Sequence, residues 1–160
     1  MGRKSIKVNK TIYQISRETI GLTRERASEL LQYISADRIE KIESEKLAPH
    51  PEEILSMADC YKNPSLCNYY CSNKCPIGQL YVPEVKSRSL SQITLEMLAT
   101  LNTLTRDKER LIEITVDGVI SADEMSDFRK IQENLDNMSM VIDSLKLWVD
   151  NALAKGSING

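Results

Sequence analysis

The fold is decided by a stretch that begins Gly21-Leu22-Thr23-Arg24-Glu25-Arg26-Ala27-Ser28-Glu29-Leu30-Leu31 and continues through Ile34-Ser35 to Arg38-Ile39-Glu40-Lys41-Ile42-Glu43. In its first part, Ala27, Leu30 and Leu31 fall on one face of a short helix. In its last part, Ile39 and Ile42 fall on one face of another helix. Ser35 stands directly before that second helix, where its hydroxyl can accept a hydrogen bond from a first-turn amide. The pattern therefore predicts two short amphipathic helices joined by a tight turn.

Residues at helical spacing also flank this stretch on both sides. The upstream stripe consists of Ile12, Ile15, Thr19 and Ile20. Gly21 can end that helix because glycine adopts the left-handed conformation easily. Downstream, Pro51 suits the first position of a helix. The apolar face of that helix consists of Ile54, Leu55 and Ala58. Four consecutive helices are expected before Tyr61.

Residues from about Lys10 to Tyr61 resemble the lambda-repressor-like helix-turn-helix family of bacterial and phage regulators, also called the xenobiotic-response-element family. The resemblance implies an all-α domain whose third helix lies in the DNA major groove with its N-terminal residues at base edges. Carried over to this sequence, the base-reading residues would be Ala36, Asp37, Arg38 and Lys41. Thr23 and Arg24 would lie near phosphates. The partner implied is double-stranded DNA, bound by a domain spanning residues 1–61.

Basic residues gather ahead of the first predicted helix. They are Arg3, Lys4, Lys7 and Lys10. Such an arm can follow DNA phosphates or enter a minor groove. An ordinary solvated terminus has the same composition, so both interpretations stay open.

The charge balance argues against a general nucleic-acid binder, which would usually be basic. The chain has 21 Lys and Arg residues against 23 Asp and Glu residues, a formal net charge of -2. Carboxylates crowd the predicted recognition helix at Asp37, Glu40 and Glu43, where phosphates would repel them. An acidic side chain can nevertheless accept from a cytosine amino group. The alternative is a protein-interaction adaptor that keeps the fold while its acidic third helix binds a protein.

All four cysteines lie close together in the sequence. They are Cys60, Cys67, Cys71 and Cys75. Thiolates offered from a loop can converge on zinc or an iron-sulfur cluster, which would make this segment a metal or redox sensor. On a helix, the last three would instead share one face and pack as small apolar groups. Free thiols, a metal site and disulfides stay open, and no cofactor is required. Residues 62–88 are expected to form a linker whose tyrosines pack against the first domain.

Two long helical patterns without proline follow Pro83, which places a domain boundary between Gly78 and Ser89. The apolar face of the first, from about residue 89 to 115, consists of Leu90, Ile93, Met97, Leu101, Leu104 and Leu111. The second, from about residue 122 to 154, has a heptad seam of Phe128, Ile131, Leu135, Met138, Ile142, Leu145, Val149 and Ala152. Asp117-Gly118 suits the turn between them, and Ser121 to Glu124 has the form of a capping box. We expect an antiparallel hairpin over residues 89–155 and a disordered tail over 156–160.

Apolar residues of the second long helix extend beyond its seam, so two helices alone would leave apolar surface uncovered. These residues are Val141, Leu147, Trp148 and Leu153. Two hairpins from separate copies could form a four-helix bundle and hold two DNA-binding domains at a fixed separation. Packing of the hairpin on its own N-terminal domain is the alternative.

Other classes of protein find little support in the sequence. No apolar run approaches the roughly 20 residues of a membrane span, and Met1 to Lys10 has no signal-peptide core, so a cytoplasmic protein is expected. The only histidine, His50, has no catalytic motif around it, and phosphate-binding glycine loops and nucleophile elbows are absent from the sequence. The sequence predicts a dimeric, sequence-specific DNA-binding regulator that is not an enzyme.

Overall fold

A computed structural model describes residues 9–158, which fold into eight helices and contain no strand. The helices are α1 (Ile12–Thr19), α2 (Arg24–Leu31), α3 (Ala36–Glu43), α4 (Pro51–Cys60), α5 (Ser65–Asn73), α6 (Gly78–Tyr81), α7 (Leu90–Thr115) and α8 (Met125–Ala154). The predicted all-α class is confirmed. The chain divides into two compact units: the first runs to Glu84 and resumes at Asp150, and the second comprises Val85–Val149.

Hydroxyl side chains begin the first three helices. Thr11 accepts a hydrogen bond from the amide of Gln14, and Thr23 accepts one from the amide of Arg26. Ser35 accepts from the Arg38 amide at 3.2 Å, as the sequence predicted. Each cap satisfies a first-turn N–H that has no partner within its own helix, which is why these short helices start where they do.

The core of the first unit is built from apolar side chains of α1 to α5 and of the segments between them. Its fully buried members include Ala27, Ile34, Ile39, Ile42, Ile54, Met57, Tyr61 and Leu66. Leu66 reaches this core from α5, beyond the domain end predicted at residue 61. Because burial of such side chains is the main source of stability, the first unit includes the helices that supply them.

The inward face of α1 differs from the predicted stripe. Ile15 is 49% exposed and Ile20 is 40% exposed, whereas Tyr13, Gln14, Ser16 and Arg17 are buried. Arg17 faces inward because its guanidinium pairs with the buried carboxylate of Glu43. The prediction for Ile15 and Ile20 was therefore wrong. Leu30 and Leu55, also predicted to face inward, are 50% and 62% exposed.

Residues 62–88, predicted to form a linker, contain α5 and α6, which pack within the first unit as far as Glu84. The rings of Tyr69 and Tyr13 meet edge to face, with centroids 5.9 Å apart. The Asn63 amide donates to the Ser16 hydroxyl at 2.8 Å. These contacts join α1 to the segment after α4, which explains why it folds with the first unit.

The second unit contains a long helical hairpin, as predicted. Asn134 donates to Asp107 at 2.6 Å, and Arg110 donates to Asp127 at 2.8 Å. The later residue of α7 thus meets the earlier residue of α8, so the two helices run antiparallel.

The ends of the long helices are set by local side chains. Ser89 and Gln92 form a capping box at the start of α7. The amide and hydroxyl of Ser121 both donate to the carboxylate of Glu124, and α8 begins after this pair, at Met125 rather than at the predicted residue 122.

The first residues of the predicted tail form a cap at the end of α8. Gly156 adopts a left-handed φ of 65°, and the amide of Ser157 donates to the carbonyl of Ala152 at 2.8 Å. This arrangement satisfies a carbonyl at the end of α8, which gives residues 156 and 157 a defined place. Residues 159 and 160 lie outside the described part of the chain.

Candidate nucleic-acid interface

A buried ionic cluster of Arg17, Arg24 and Glu43 connects the first three helices. Glu43 accepts from Arg17 through both of its carboxylate oxygens, at 2.5 and 2.9 Å, and from Nε of Arg24 at 2.8 Å. The Arg17 guanidinium also donates to the carbonyl of Leu22 at 2.6 Å. Burial alone would lower the pKa of Arg17, but the hydrogen bond and charge of Glu43 outweigh burial and raise the pKa. The cluster sets the position of α3 relative to α1 and α2.

The turn between α2 and α3 contains a strained residue. Gln32 has φ 59° and ψ -44°, and the amide of Tyr33 donates to the carbonyl of Leu31 at 2.7 Å. This geometry is a γ-turn of the rare type with positive φ, which is unfavourable for a residue that has a side chain. The link from Leu31 to Ser35 contains no glycine, so Gln32 adopts this conformation itself.

The two residues predicted to lie near phosphates both make contacts inside the domain. The hydroxyl of Thr23 caps α2 by accepting from the Arg26 amide at 3.1 Å. Arg24 has a side chain 34% exposed and donates to Glu43. Thr23 is the N-cap of α2 and Arg24 is its first residue, so the two residues are neighbours at the N-terminal end of that helix.

The four residues predicted to read bases lie along α3. Ala36 is half-buried at its first position, and Asp37 follows it with its carboxylate exposed. Lys41 stands one turn after Asp37 and pairs with it at 2.7 Å. Arg38 donates through Nε and Nη2 to both carboxylate oxygens of Glu53 on α4, the Nη2 bond measuring 2.7 Å.

Glu53 is an organising residue that sequence reasoning missed. Its side chain is 8% exposed and accepts from Arg38 and from the His50 amide at 2.8 Å. The hydrogen bond from Arg38 holds the pKa of Glu53 below its usual value, with the His50 amide adding to the effect. The available signal was the third position of a helix that starts at Pro51, where a glutamate commonly caps the chain. Its pairing with α3 was not visible in any local pattern.

Each of the three cations that were predicted to contact DNA from α2 and α3 pairs with a carboxylate. Arg24 pairs with Glu43, Arg38 with Glu53 and Lys41 with Asp37. The pair of Lys41 and Asp37 is exposed, with side-chain exposures of 47% and 68%, so water and salt weaken it. Lys41 can consequently exchange its partner at low cost.

The basic arm is described only at its end. Arg3, Lys4 and Lys7 lie outside the described residues. Lys10 lies within them and pairs with Glu18 of α1 at 2.6 Å, and this hydrogen bond lowers the pKa of the Glu18 carboxyl.

The four cysteines are distributed over α4, α5 and the turn after α5. Cys60 ends α4, Cys67 and Cys71 lie on α5, and Cys75 follows the end of that helix. All four are free thiols of intermediate exposure, and burial raises the pKa of Cys60 and of Cys67. Because α5 ends at Asn73, Cys75 does not share the helical face of Cys67 and Cys71. Over residues 9–158, His, Cys, Asp and Glu side chains form no group of three suited to a metal ion.

A close backbone approach fixes α6 against α5. The Cα of Gly78 lies so near the backbone of Cys71 that an added Cβ would be 2.1 Å from the Cys71 carbonyl oxygen. The Gly78 amide also lies 3.5 Å from the sulfur of Cys75. The cysteine segment is thus part of the packed structure of the first unit.

Comparison with protein-family models, with curated proteins and with solved structures found no match to this chain. None of the described helices is both long enough and apolar enough to cross a membrane.

Proposed function

We propose that this protein is a sequence-specific DNA-binding regulator that reads the major groove with α3 and binds as a dimer joined through its helical hairpin. Arg38 and Lys41, with Ala36 and Asp37, contact base edges, and the N-terminal end of α2 lies near phosphates. Basic residues before α1 add phosphate contacts. Such a regulator acts in the cytoplasm by occupying its site on DNA, without catalysis.

The observation that carries this proposal is the way α3 is held. Its inner side chains, Ile39 and Ile42, are almost completely buried, and Glu43 fixes its end to α1 and α2. Its opposite side presents Asp37 and Lys41 to solvent. A short helix that is anchored along one face and polar along the other is suited to insertion into a groove.

Arg38 is held in a way that leaves part of its guanidinium free for a second partner. Glu53 occupies its Nε and Nη2 groups. Arginine has five N–H donors, so the Nη1 edge can still donate to a guanine or a phosphate. The carboxylate fork would hold the guanidinium in one orientation before DNA arrives, which reduces the entropy lost on binding.

A second candidate function is a protein-interaction adaptor, and the pairing of Arg24, Arg38 and Lys41 with carboxylates favours it. A face of balanced charge attracts phosphates weakly and suits a protein surface equally well. In this alternative the cysteine segment could act as a metal or redox sensor with zinc or an iron-sulfur cluster. Metal analysis of protein purified without oxygen tests that part, because a sample with no stoichiometric zinc or iron contradicts it.

Fluorescence anisotropy tests the DNA-binding proposal. The purified chain is titrated into a labelled duplex from the DNA upstream of its own gene, and into a scrambled duplex, over a range of salt concentrations. We expect tighter binding to the upstream duplex and an affinity that falls as salt rises, because phosphate contacts release counterions. Absence of binding to both duplexes at low salt would favour the adaptor.

Lys41→Ala is the most direct variant, because it removes an exposed cation and leaves the buried pairs intact. We expect it to weaken specific binding by roughly tenfold or more. The matched control is Lys62→Asn, which also removes a lysine from an exposed pair, with Asp59, and asparagine tolerates the positive φ at this position. Equal effects of the two variants would contradict a role for α3. Arg38→Ala is less suitable because it also removes the cation that faces Glu53.

A further inference from the structure

The heptad seam of α8 divides into two rows in the structure. One row contains Ile131 and Ala152, which are 4% and 7% exposed, together with the half-buried Met138 and Leu145. The other row has a strict spacing of seven and consists of Phe128, Leu135, Ile142 and Val149. In this second row Leu135 is 47% exposed and Ile142 is 40% exposed, while Phe128 and Val149 at its ends are half-buried. The hairpin therefore covers the first row more completely and leaves the middle of the second row open.

A matching open row lies on α7. Leu90, Leu101 and Ile112 follow one another at intervals of eleven residues, three helical turns, and are 41%, 46% and 56% exposed. The sequence placed Leu90 and Leu101 on one apolar face with Ile93, and in the structure Ile93 is buried while Leu90 and Leu101 are exposed. Ile114, which was not predicted to be inward, is fully buried instead. The contacts of Asp107 and Arg110 with α8 explain this, because Ile114 lies on their side of the helix.

The two open rows lie on the same face of the hairpin. A helix turns by about 100° per residue, so the position of each row can be compared with the side of its helix that contacts the other helix. The rotation from that side is roughly 40° to 150°, and it has the same sense on both helices. Since α7 and α8 are antiparallel, an equal sense of rotation on each brings both rows to one side. We call this surface, formed by Phe128, Leu135, Ile142 and Val149 with Leu90, Leu101 and Ile112, the open face.

We infer that the open face is the contact surface for a second copy of this chain, so that two hairpins form a four-helix bundle. This inference specifies the dimer of the proposed function, but it does not depend on DNA binding. The strict heptad row on α8 supports a helical partner, because such spacing keeps one row in contact along the whole length of another helix. A second copy of the chain presents the same two helices on its own open face. Two identical open faces can therefore pack together about a twofold axis.

The size of the open face fits a stable dimer. α7 has 26 residues, so it is about 39 Å long, and two helices side by side are about 20 Å wide. The face thus covers on the order of 800 Å², which is about what each partner contributes to a specific protein interface. All seven of its named residues are uncharged, so the association should depend little on salt, unlike the attraction of a charged partner.

Sedimentation velocity of the full chain over a range of concentrations and salt tests this inference. We expect a dimer in the wild type whose dissociation constant changes little with salt. Leu135→Glu should raise that constant by at least about 100-fold, because the substitution occurs twice in a symmetric interface and each copy buries a charge. The matched control is Asn137→Glu, which adds the same charge at an exposed position on another side of α8 and should leave the dimer unchanged.

A monomeric wild type, or a Leu135→Glu variant that dimerises as the wild type does, would overturn the inference. Circular dichroism shows whether each variant keeps its helix content. If Leu135→Glu fails to fold, Leu101→Glu places the charge on the α7 row instead. It should raise the dissociation constant of the dimer for the same reason. A dimer that binds no DNA would contradict the proposed function and leave this inference intact. A DNA-binding monomer would overturn this inference and leave only the DNA-binding part of the proposed function.

Discussion

Arg17 of α1 and Glu43 at the end of α3 form a bidentate ion pair, although their side chains are only 6% and 1% exposed. Twenty-six residues separate them in the sequence. A buried carboxylate is tolerated only when it is well paired, and here Arg24 supplies a second cation. The pair determines which side of α1 faces inward and how the end of α3 is held.

Breaking this pair should destabilise the first unit strongly. Arg17→Met removes a cation from a buried carboxylate, which typically costs about 3–5 kcal/mol in the free energy of unfolding. Urea denaturation followed by circular dichroism measures the change. Arg26→Met is the control because Arg26 pairs with Glu29 in solvent, where such pairs contribute about 0–1 kcal/mol. Equal losses from the two variants would show that burial of the Arg17 pair has no energetic consequence.

The pair of Arg38 and Glu53 should make stability depend on acid pH. Hydrogen bonding to Arg38 lowers the pKa of Glu53 in the folded state, so the unfolded chain binds the proton more readily. The stabilisation is fully present above pH about 4.3, the ordinary glutamate value, and is lost as the pH falls through the lower folded pKa. Thermal unfolding between neutral and acid pH should show a shallower decline in Glu53→Gln than in the wild type. The slope should not vanish, because Lys10 also lowers the pKa of Glu18. An unchanged slope would contradict this role for Glu53.

Gln32→Gly should stabilise the protein. Residue 32 has a positive φ with a negative ψ, a conformation that costs a non-glycine residue of order 1–3 kcal/mol, while glycine adds about 0.5–1 kcal/mol of chain entropy to the cost of folding. We expect a net gain of roughly 1 kcal/mol in chemical denaturation. The control Gln132→Gly changes an exposed glutamine within α8 and should cost about 1 kcal/mol. A loss of stability in both variants would argue against strain at Gln32.

Gly78→Ala should loosen α6 from α5. The new Cβ would meet the carbonyl oxygen of Cys71 at 2.1 Å, and because that atom belongs to the backbone, one of the helices must move. Such overpacking typically costs about 1–3 kcal/mol, which denaturation should detect. Leu80→Ala, two residues later at a side chain that is 77% exposed, should change stability little. Equal stability of the two variants would contradict a close contact between Gly78 and the Cys71 backbone.

The sequence by itself predicted six of the eight helices in the described part of the chain, which are the four before Tyr61 and the two long ones. Local patterns record features that depend on interactions within a few residues. These features are the cap at Ser35, the pairing of Ser121 with Glu124, the start of α4 at Pro51 and the two long helices. The candidate interface was predictable to the same extent: Ala36, Asp37, Arg38 and Lys41 do lie together on α3, because residues one to five apart share a short helix.

Only the tertiary structure decided the partners of these residues. Periodicity predicted an apolar inner face for α1, but Arg17 faces inward because Glu43 lies opposite it. Arg38 was predicted as a free base reader, and Glu53, fifteen residues away, holds it. The open face of the hairpin likewise arises because α7 covers one row of the α8 seam and not the other. Helices form from neighbours in the chain, whereas burial and ion pairing depend on what packing brings together, and no local pattern contains that information.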